Sequence, residues 1–359
     1  MIKFYPDTKI YVACPANSAT GGPELLHQLA FHLRKELSID AYMYYYNFDN
    51  SKFNTPVHTE YKIYENSYVT KLNEIEDNEK NIIIVPEKQE GIHLLQYFKN
   101  IRKGVWFLSV DNYYYSRLTK KDFFIISLIN KISKFLINNP LLEFDITSQK
   151  VLSKLINKYD YKKDHILKFS NFYIFQSNYS FEHFKELNPK YYLSDYLNED
   201  FLKIQTYLSK KENIVVYNPK KGISFTKKII ENGRDIKFVP LVNMTRDEVI
   251  KTLQKAKVYI DFGNHPGKDR IPRESAILGC CVITNKRGSA SFYEDVPIPD
   301  EYKFEDKEEN IPKIINKIKD CFENYEERHK DFEYYRQVIK NEQQKFIEDL
   351  KKIFVKVEK

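Results

Sequence analysis

Short runs of β-branched and aromatic residues recur along this sequence. Each ends in a polar or glycine-bearing turn, and most are followed by a segment with apolar residues at helical spacing. The first run is KIYVACP (Lys9–Pro15), followed by the loop ANSATGG at 16–22 and then PELLHQLAFHLRKEL. In the last of these, Leu25, Leu26, Leu29, Ala30 and Leu33 share one helical face, with Pro23 at a first-turn position. Strand, glycine loop, helix is the opening of an α/β unit. Further strand patterns lie at Ile39–Tyr46, Asn81–Glu87, Lys103–Asp111 and Asn171–Asn178, with helical segments such as IHLLQYFKNI between them. That alternation predicts a mostly parallel sheet covered by helices on both faces.

A second set begins after the polar stretch Asn198–Asn213. NIVVYNPKKG (Asn213–Gly222) reads as strand and turn, FTKKIIENG as helix, DIKFVPL as strand and TRDEVIKTLQKA as helix. KVYIDFG is the next strand, RESAILG a helix and CCVITN a strand, giving five or six βα steps in about 80 residues. From Glu308 on the sequence is charged and helical. At 359 residues the chain exceeds one ordinary core. The expected division is a first Rossmann-like domain at 1–197, a linker at 198–212, a second Rossmann-like domain at 213–335, and a helix at 336–359 packing back on the first. Two such domains in tandem would face a central cleft, with ligands beyond the carboxyl ends of the strands.

Composition narrows the class. A hydrophobic fraction of 42% and an aromatic fraction of 15% suit globular cores. The opening MIKFYPDTKIYVAC has no signal-peptide core, and no run approaches the roughly 18 apolar residues of a membrane span. Cys14, Cys280, Cys281 and Cys321 lack CxxC spacing, which argues against disulfides or a zinc site and for a reduced, cytoplasmic chain. A net charge of +7 is weak evidence for nucleic acid, and neither an RNP-type motif nor a recognition-helix motif is visible. Attraction to an anionic membrane face suits that charge at least as well. The helical pattern Lys120–Asn139 carries a broad apolar face, read as core in preference to a membrane-lying surface.

The stretch DFGNHPGKDRIPRESAILGC (Asp261–Cys280) packs glycines, prolines and cations between a strand and a helix. The helix is expected to start near Pro272 or Arg273, offering first-turn N–H groups to an anion. Lys268, Arg270 and Arg273 add mobile positive charge, so the loop reads as a diphosphate site. Glu274 has two readings, an ion pair with those cations or an acceptor for both hydroxyls of a ribose. Two further turns suit anions: YNPKKG, with Lys220 and Lys221, and NKRGSAS, where Gly288, Ser289 and Ala290 would present backbone N–H groups. The strand-end turn 241–245 adds Asn243.

In order and pattern the chain resembles glycosyltransferases of the GT-B fold, particularly the retaining family four and its bacterial surface-polysaccharide relatives. ATGGPELLHQLAFHL is similar to their glycine loop and first helix, IFQSNYSFEHFKEL to the last strand of their first domain, and YNPKKG to the turn with a phosphate-binding lysine. PRESAILGCCVITNKRGSASFYED is similar to their nucleotide-binding helix, the next strand and the phosphate-facing loop. The resemblance implies that Glu274 meets the donor ribose and Lys221 the diphosphate. It implies that Gly21 and Gly22 approach donor phosphate or sugar, and that Gly288, Ser289 and Ala290 face phosphate. Two departures stand out. The family's second glutamate, eight residues before the first, is Pro266 here, and its arginine in the lysine turn is replaced by Asn218 or Pro219. His265–Pro266 is similar to the His-Pro pair of CMP-sugar-using GT-B enzymes, at a different place in the chain.

The activity so implied is metal-independent transfer of a sugar from a UDP- or GDP-linked donor, with no separate cofactor, to a hydroxyl of a bacterial surface glycan. That acceptor would be lipid-linked or part of a lipooligosaccharide or capsule, met at the inner membrane face. The rivals are a CMP-linked sugar or polyol-phosphate transferase of the same fold and a catalytically degenerate partner subunit. An inverting transferase needs a general base near the acceptor hydroxyl. Asp111, at the end of a strand pattern, is one candidate; Glu24 and His27, one helical turn apart beside the glycine loop, are the others. For each, a structural reading stands beside the catalytic one: a turn or cap for Asp111, and helix packing for the other two. Tyr113, Tyr114 and Tyr115 would suit sugar stacking, with packing the favoured use.

Overall fold

The computed structural model describes residues 1–119, 121–122 and 149–357. The chain divides into two compact units: Met1–Arg117, Leu155–Tyr196 and Gln343–Lys359 form one, Leu118–Lys154 and Leu197–Glu342 the other. The helical pattern Lys120–Asn139 lies outside the described residues, apart from 121–122.

The first unit contains strands β1 (Ile2–Phe4), β2 (Lys9–Pro15), β3 (Asp40–Tyr46), β4 (Tyr68–Val69), β5 (Ile82–Pro86), β6 (Arg102–Phe107), β7 (Phe172–Phe175) and β8 (Lys190–Tyr192). Seven of these make one sheet in the order β4-β3-β2-β5-β6-β7-β8, parallel throughout. Strand residues alternate between faces. Ile10, Val12, Cys14, Ala41, Met43, Tyr45, Ile82 and Ile84 lie on one face and join Leu25, Leu26, Leu29 and Leu33 of helix Gly21–Leu37 in a single core. Each buried Ile, Val, Leu or Met among them contributes about 1.5–3 kcal/mol by leaving water. Tyr11, Ala13, Pro15, Tyr44, Tyr46, Ile83 and Val85 take the other face, as the register requires.

The second unit holds β9 (Glu212–Tyr217), β10 (Lys237–Pro240), β11 (Ala256–Asp261), β12 (Cys281–Asn285) and β13 (Lys303–Phe304), ordered β10-β9-β11-β12-β13 and also all parallel. The intervening helices Ile223–Asn232, Arg246–Lys255 and Arg270–Ile277 match the periodic segments of the sequence. Thr245 caps the second of them by accepting from Glu248 N while Glu248 reaches back to Thr245 N. A last strand, β14 (Phe354–Lys356), pairs parallel with β1. Helix Glu333–Ile353 precedes it, and its Phe346, Leu350 and Ile353 belong to the first unit's core.

Residues 197–211 count with the second unit and pack into it, so that stretch is more than a tether. Leu197 and Phe201 join its core, and Lys211 is buried with its ammonium donating to Leu253 O (2.9 Å), Ala256 O (2.7 Å) and Leu278 O (2.7 Å). All four cysteines are free and buried. Among the described residues no helix is long and apolar enough to cross a membrane.

In each sheet the strand order reverses once, between β2 and β5 in the first and between β9 and β11 in the second. Loops leaving the carboxyl ends of such strands part to opposite faces and open a crevice, where ligands of open α/β sheets bind. Those two places are the candidates below.

Candidate functional site

At the reversal in the second unit, three chain segments converge. The turn after β9 ends at Gly222, whose φ of +57° is left-handed. A Cβ there would strike the carbonyl of Phe262 in the loop after β11, so only glycine lets the two loops touch. The turn after β12 closes in the same way. Gly288 has φ +52°, and a Cβ on it would strike His265 O. Ser289 N donates to His265 O (2.8 Å), Ser289 Oγ to Gly267 O (2.6 Å) and Asn285 Nδ2 to Gly263 O (2.7 Å). YNPKKG, the 262–269 loop and NKRGSAS therefore form one packed rim.

Charge is concentrated there. Lys221 Nζ lies 2.6 Å from Asp269 Oδ2. His265, fully buried, sits between two carboxylates, with Nδ1 3.1 Å from Asp269 and Nε2 3.8 Å from Asp261. Burial opposes protonation of His265, but Asp261 and Asp269 outweigh it and hold its pKa above the ordinary histidine value. Burial likewise works against ionisation of Asp269, yet Lys221 and His265 pull its carboxyl down to about 2. Asp261, His265 and Asp269 bring potential metal-ligand atoms within 4.8 Å of one another. The ring nitrogens address different carboxylates, however. Asp261 already accepts from Gly263 N (3.0 Å) and Tyr259 OH (2.9 Å), while Asp269 holds Lys221. Both carboxylates are already engaged by protein donors, so the group reads as a chain of ion pairs running from Lys221 through Asp269 and His265 to Asp261.

The expected phosphate ligands divide. Lys221 and Arg270 stay at the rim, half-buried, and Lys220 is exposed. Lys268 and Arg273 do not supply mobile charge. Both are buried on Glu342, at 2.7 and 2.8 Å. Arg273 also donates to Asp269 O and Lys268 O, fastening the loop to the helix. Their partner lies about seventy residues further along, on helix Glu333–Ile353, and nothing in the loop's own sequence points to it. Helix Arg270–Ile277 begins earlier than expected, with Asp269 at its N-cap. Glu274 is buried with its carboxylate 3.7 Å from Arg270 Nε, the weak ion-pair geometry of one of its two readings. The N–H groups of Ser289 and Ala290 are not available to phosphate, because they bond His265 O and Arg287 O. Asn243 is exposed, with φ +53°.

The first unit corrects the catalytic candidates. β6 stops at Phe107, because Ser109 accepts from Asn112 N and starts a helix at Val110–Tyr115. Asp111 is therefore a buried first-turn residue and not a strand-end base. Glu24 is 2% exposed and accepts from Tyr64 OH. His27 is enclosed, with Nδ1 2.6 Å from Pro23 O and Nε2 2.6 Å from Tyr45 OH. Burial lowers its pKa to about 4, so it is a neutral core histidine with both nitrogens engaged. Gly21 and Gly22 open helix Gly21–Leu37, and the nearest atom to a Cβ on Gly22 would be Leu108 Cδ1 at 3.6 Å. Tyr113 and Tyr114 are wholly buried, bonded to Asp164 and His183.

A different carboxylate occupies the reversal point. Glu87 directly follows β5, is 2% exposed, and accepts from Leu108 N at 3.1 Å. Burial, against the pull of that N–H, pushes its carboxyl up to about 7. In the sequence Glu87 closes the strand pattern Asn81–Glu87, and no motif singles it out. The available signal was a carboxylate closing an all-apolar strand, IIIVPE.

No protein-family model matches this sequence, and neither does any curated protein. Its structure is similar to a glycosyltransferase from Rickettsia africae ESF-5 (TM-score 0.60, 14% identity, 97% of this chain and 99% of that one). It is similar to sucrose-phosphate synthase from Thermosynechococcus elongatus (TM-score 0.54, 11% identity, 96% and 94%). It is also similar to Anabaena HepE in complex with UDP-glucose (TM-score 0.53, 12% identity, 96% and 98%). The chain has the GT-B fold, built from two Rossmann-like α/β units.

Proposed function

We propose that the protein is a glycosyltransferase that binds a nucleotide-sugar donor on its second unit and passes the sugar to a hydroxyl held by its first. The convergence of three strand-end loops at the second sheet's reversal, with Lys221 and Arg270 on the rim, carries this reading. Leaving-group stabilisation then falls to those cations, and no resident metal or other cofactor is needed. Glu274 is the candidate for the ribose hydroxyls, with Arg270 releasing its carboxylate on binding. A UDP- or GDP-linked donor is favoured, and the UDP-glucose bound to HepE supports the first. The acceptor class, a surface glycan met at a cytoplasmic membrane face, rests on the family resemblance alone.

Calorimetry with UDP, GDP and CMP tests the donor. Micromolar binding of UDP or GDP is expected, and binding of CMP alone would favour the CMP-sugar alternative. Glu274→Ala should weaken nucleotide binding by about tenfold, one lost charged hydrogen bond, with an unchanged far-UV spectrum. Undiminished affinity would remove Glu274 from the ribose site. Absence of binding by all three nucleotides, together with no donor turnover, would favour a non-catalytic subunit.

A further inference from the structure

The reversal point of the first sheet holds two buried polar side chains, Tyr46 and Glu87. Pro15 on β2 pairs with Tyr46, the last residue of β3. On the other side β2 pairs with β5 as far as Val12 and Ile84, and Glu87 follows directly after β5. Alternation along β3 puts Tyr46 on the face away from helix Gly21–Leu37, and the Glu87 carboxylate is near enough to act on the Tyr46 hydroxyl electrostatically. β3 and β5 flank β2, so with strands about 4.8 Å apart they stand about 10 Å from each other, which two long side chains can span around a small ligand. Among the described residues the Tyr46 hydroxyl is buried without a hydrogen-bond partner, and the residue is 5% exposed. An unanswered buried hydroxyl costs about 1–3 kcal/mol, which a hydrogen-bonding ligand would recover. Lys88 favours the charged form of Glu87, Asn112 hydrogen-bonds its carboxylate, and Glu90, Cys14 and Tyr44 surround Tyr46.

We propose that Glu87 is the general base of the transfer and that Tyr46 fixes the acceptor hydroxyl beside it. The inference rests on the glycosyl-transfer reading above. In the step, the Glu87 carboxylate takes the proton of the acceptor O–H as that oxygen forms its bond to the anomeric carbon. The bond from that carbon to the donor phosphate breaks, and its electron pair leaves on the diphosphate. One displacement inverts the anomeric centre. A base on the acceptor side is a requirement of inversion.

The test uses the full chain with UDP-glucose, UDP-N-acetylglucosamine and GDP-mannose, water serving as acceptor. Rates are followed from pH 5.5 to 8.5, and the first-formed sugar anomer is read by proton NMR. Wild type should hydrolyse at least one donor with a rate rising through about pH 7 and with the β-anomer formed first. Glu87→Gln, which keeps an acceptor for Leu108 N, should lose about 10²–10⁴-fold in rate and lose the pH dependence, with nucleotide affinity and melting temperature not reduced. Tyr46→Phe should lose roughly tenfold, one hydrogen bond to a reacting hydroxyl, and keep the pH profile. A wild-type rate or profile in Glu87→Gln, a retained α-anomer, or a Glu87→Gln protein that no longer folds or binds nucleotide would each overturn the base. An unaffected Tyr46→Phe would overturn the positioning role. A wild type that binds nucleotide but turns over no donor overturns this inference alone. One that binds none overturns the nucleotide reading, and the inference falls with it.

Discussion

At the reversal of the second sheet, Lys221, Asp269, His265 and Asp261 neutralise one another within a few ångströms, and Lys268 and Arg273 are neutralised by Glu342. At the reversal of the first, Glu87 accepts hydrogen bonds and has no ion pair among the described residues, and the Tyr46 hydroxyl has no hydrogen-bond partner among them. The same topological position is thus filled by compensated charge in one unit and by uncompensated polarity in the other. Compensated charge suits a ligand that brings its own net charge, such as a diphosphate, since it can exchange with Asp269 for Lys221. Uncompensated polarity suits a neutral ligand that brings a proton.

The sharpest way to break this contrast is Glu342→Ala. If Lys268 and Arg273 are structural, removing their shared carboxylate strands two buried cations and should cost about 3–5 kcal/mol by denaturant unfolding. An undiminished midpoint would return both residues to the ligand. Next comes Glu87→Gln examined for stability. The fold favours the protonated carboxyl, so its stabilisation is complete below the ordinary glutamate range and is lost as pH rises through about 7. The glutamine variant should match wild type near pH 4 and exceed it by about 3 kcal/mol at pH 8. Equal stability at both would mean that Glu87 is not desolvated. The smallest effect is expected for Lys221→Ala. A single charge-assisted contact is worth about 1.5 kcal/mol, or roughly tenfold in UDP affinity, and calorimetry would read it.

The sequence made the long strands and helices legible because their periods are long enough to see. Lys9–Pro15 is recovered residue for residue, and the helix pattern TRDEVIKTLQKA matches the helix capped by Thr245. β1, β4, β8, β13 and β14 escaped, since strands of two or three residues show no alternation. The loops of the second site were legible for a similar local reason. Glycines at 222 and 288 and the lysine turn are features of short segments. What was not legible was which cations would be taken by a carboxylate far along the chain, as with Arg273 and Glu342. Nor could the sequence separate Glu87 from Asp111, because both close an apolar run. Ser109 capping a helix at Val110 distinguishes them only in three dimensions.

Lys211 bears on how the second site can move. Its ammonium grips Leu253 O, Ala256 O and Leu278 O, two of which are terminal carbonyls at the far ends of helices Arg246–Lys255 and Arg270–Ile277. The latter helix begins at the charged rim. Held at its tail, the helix resists sliding along its axis. On the proposed reading an anion would then be met by the 262–269 segment and by Lys221 exchanging Asp269 for the ligand, with the scaffold behind them held still.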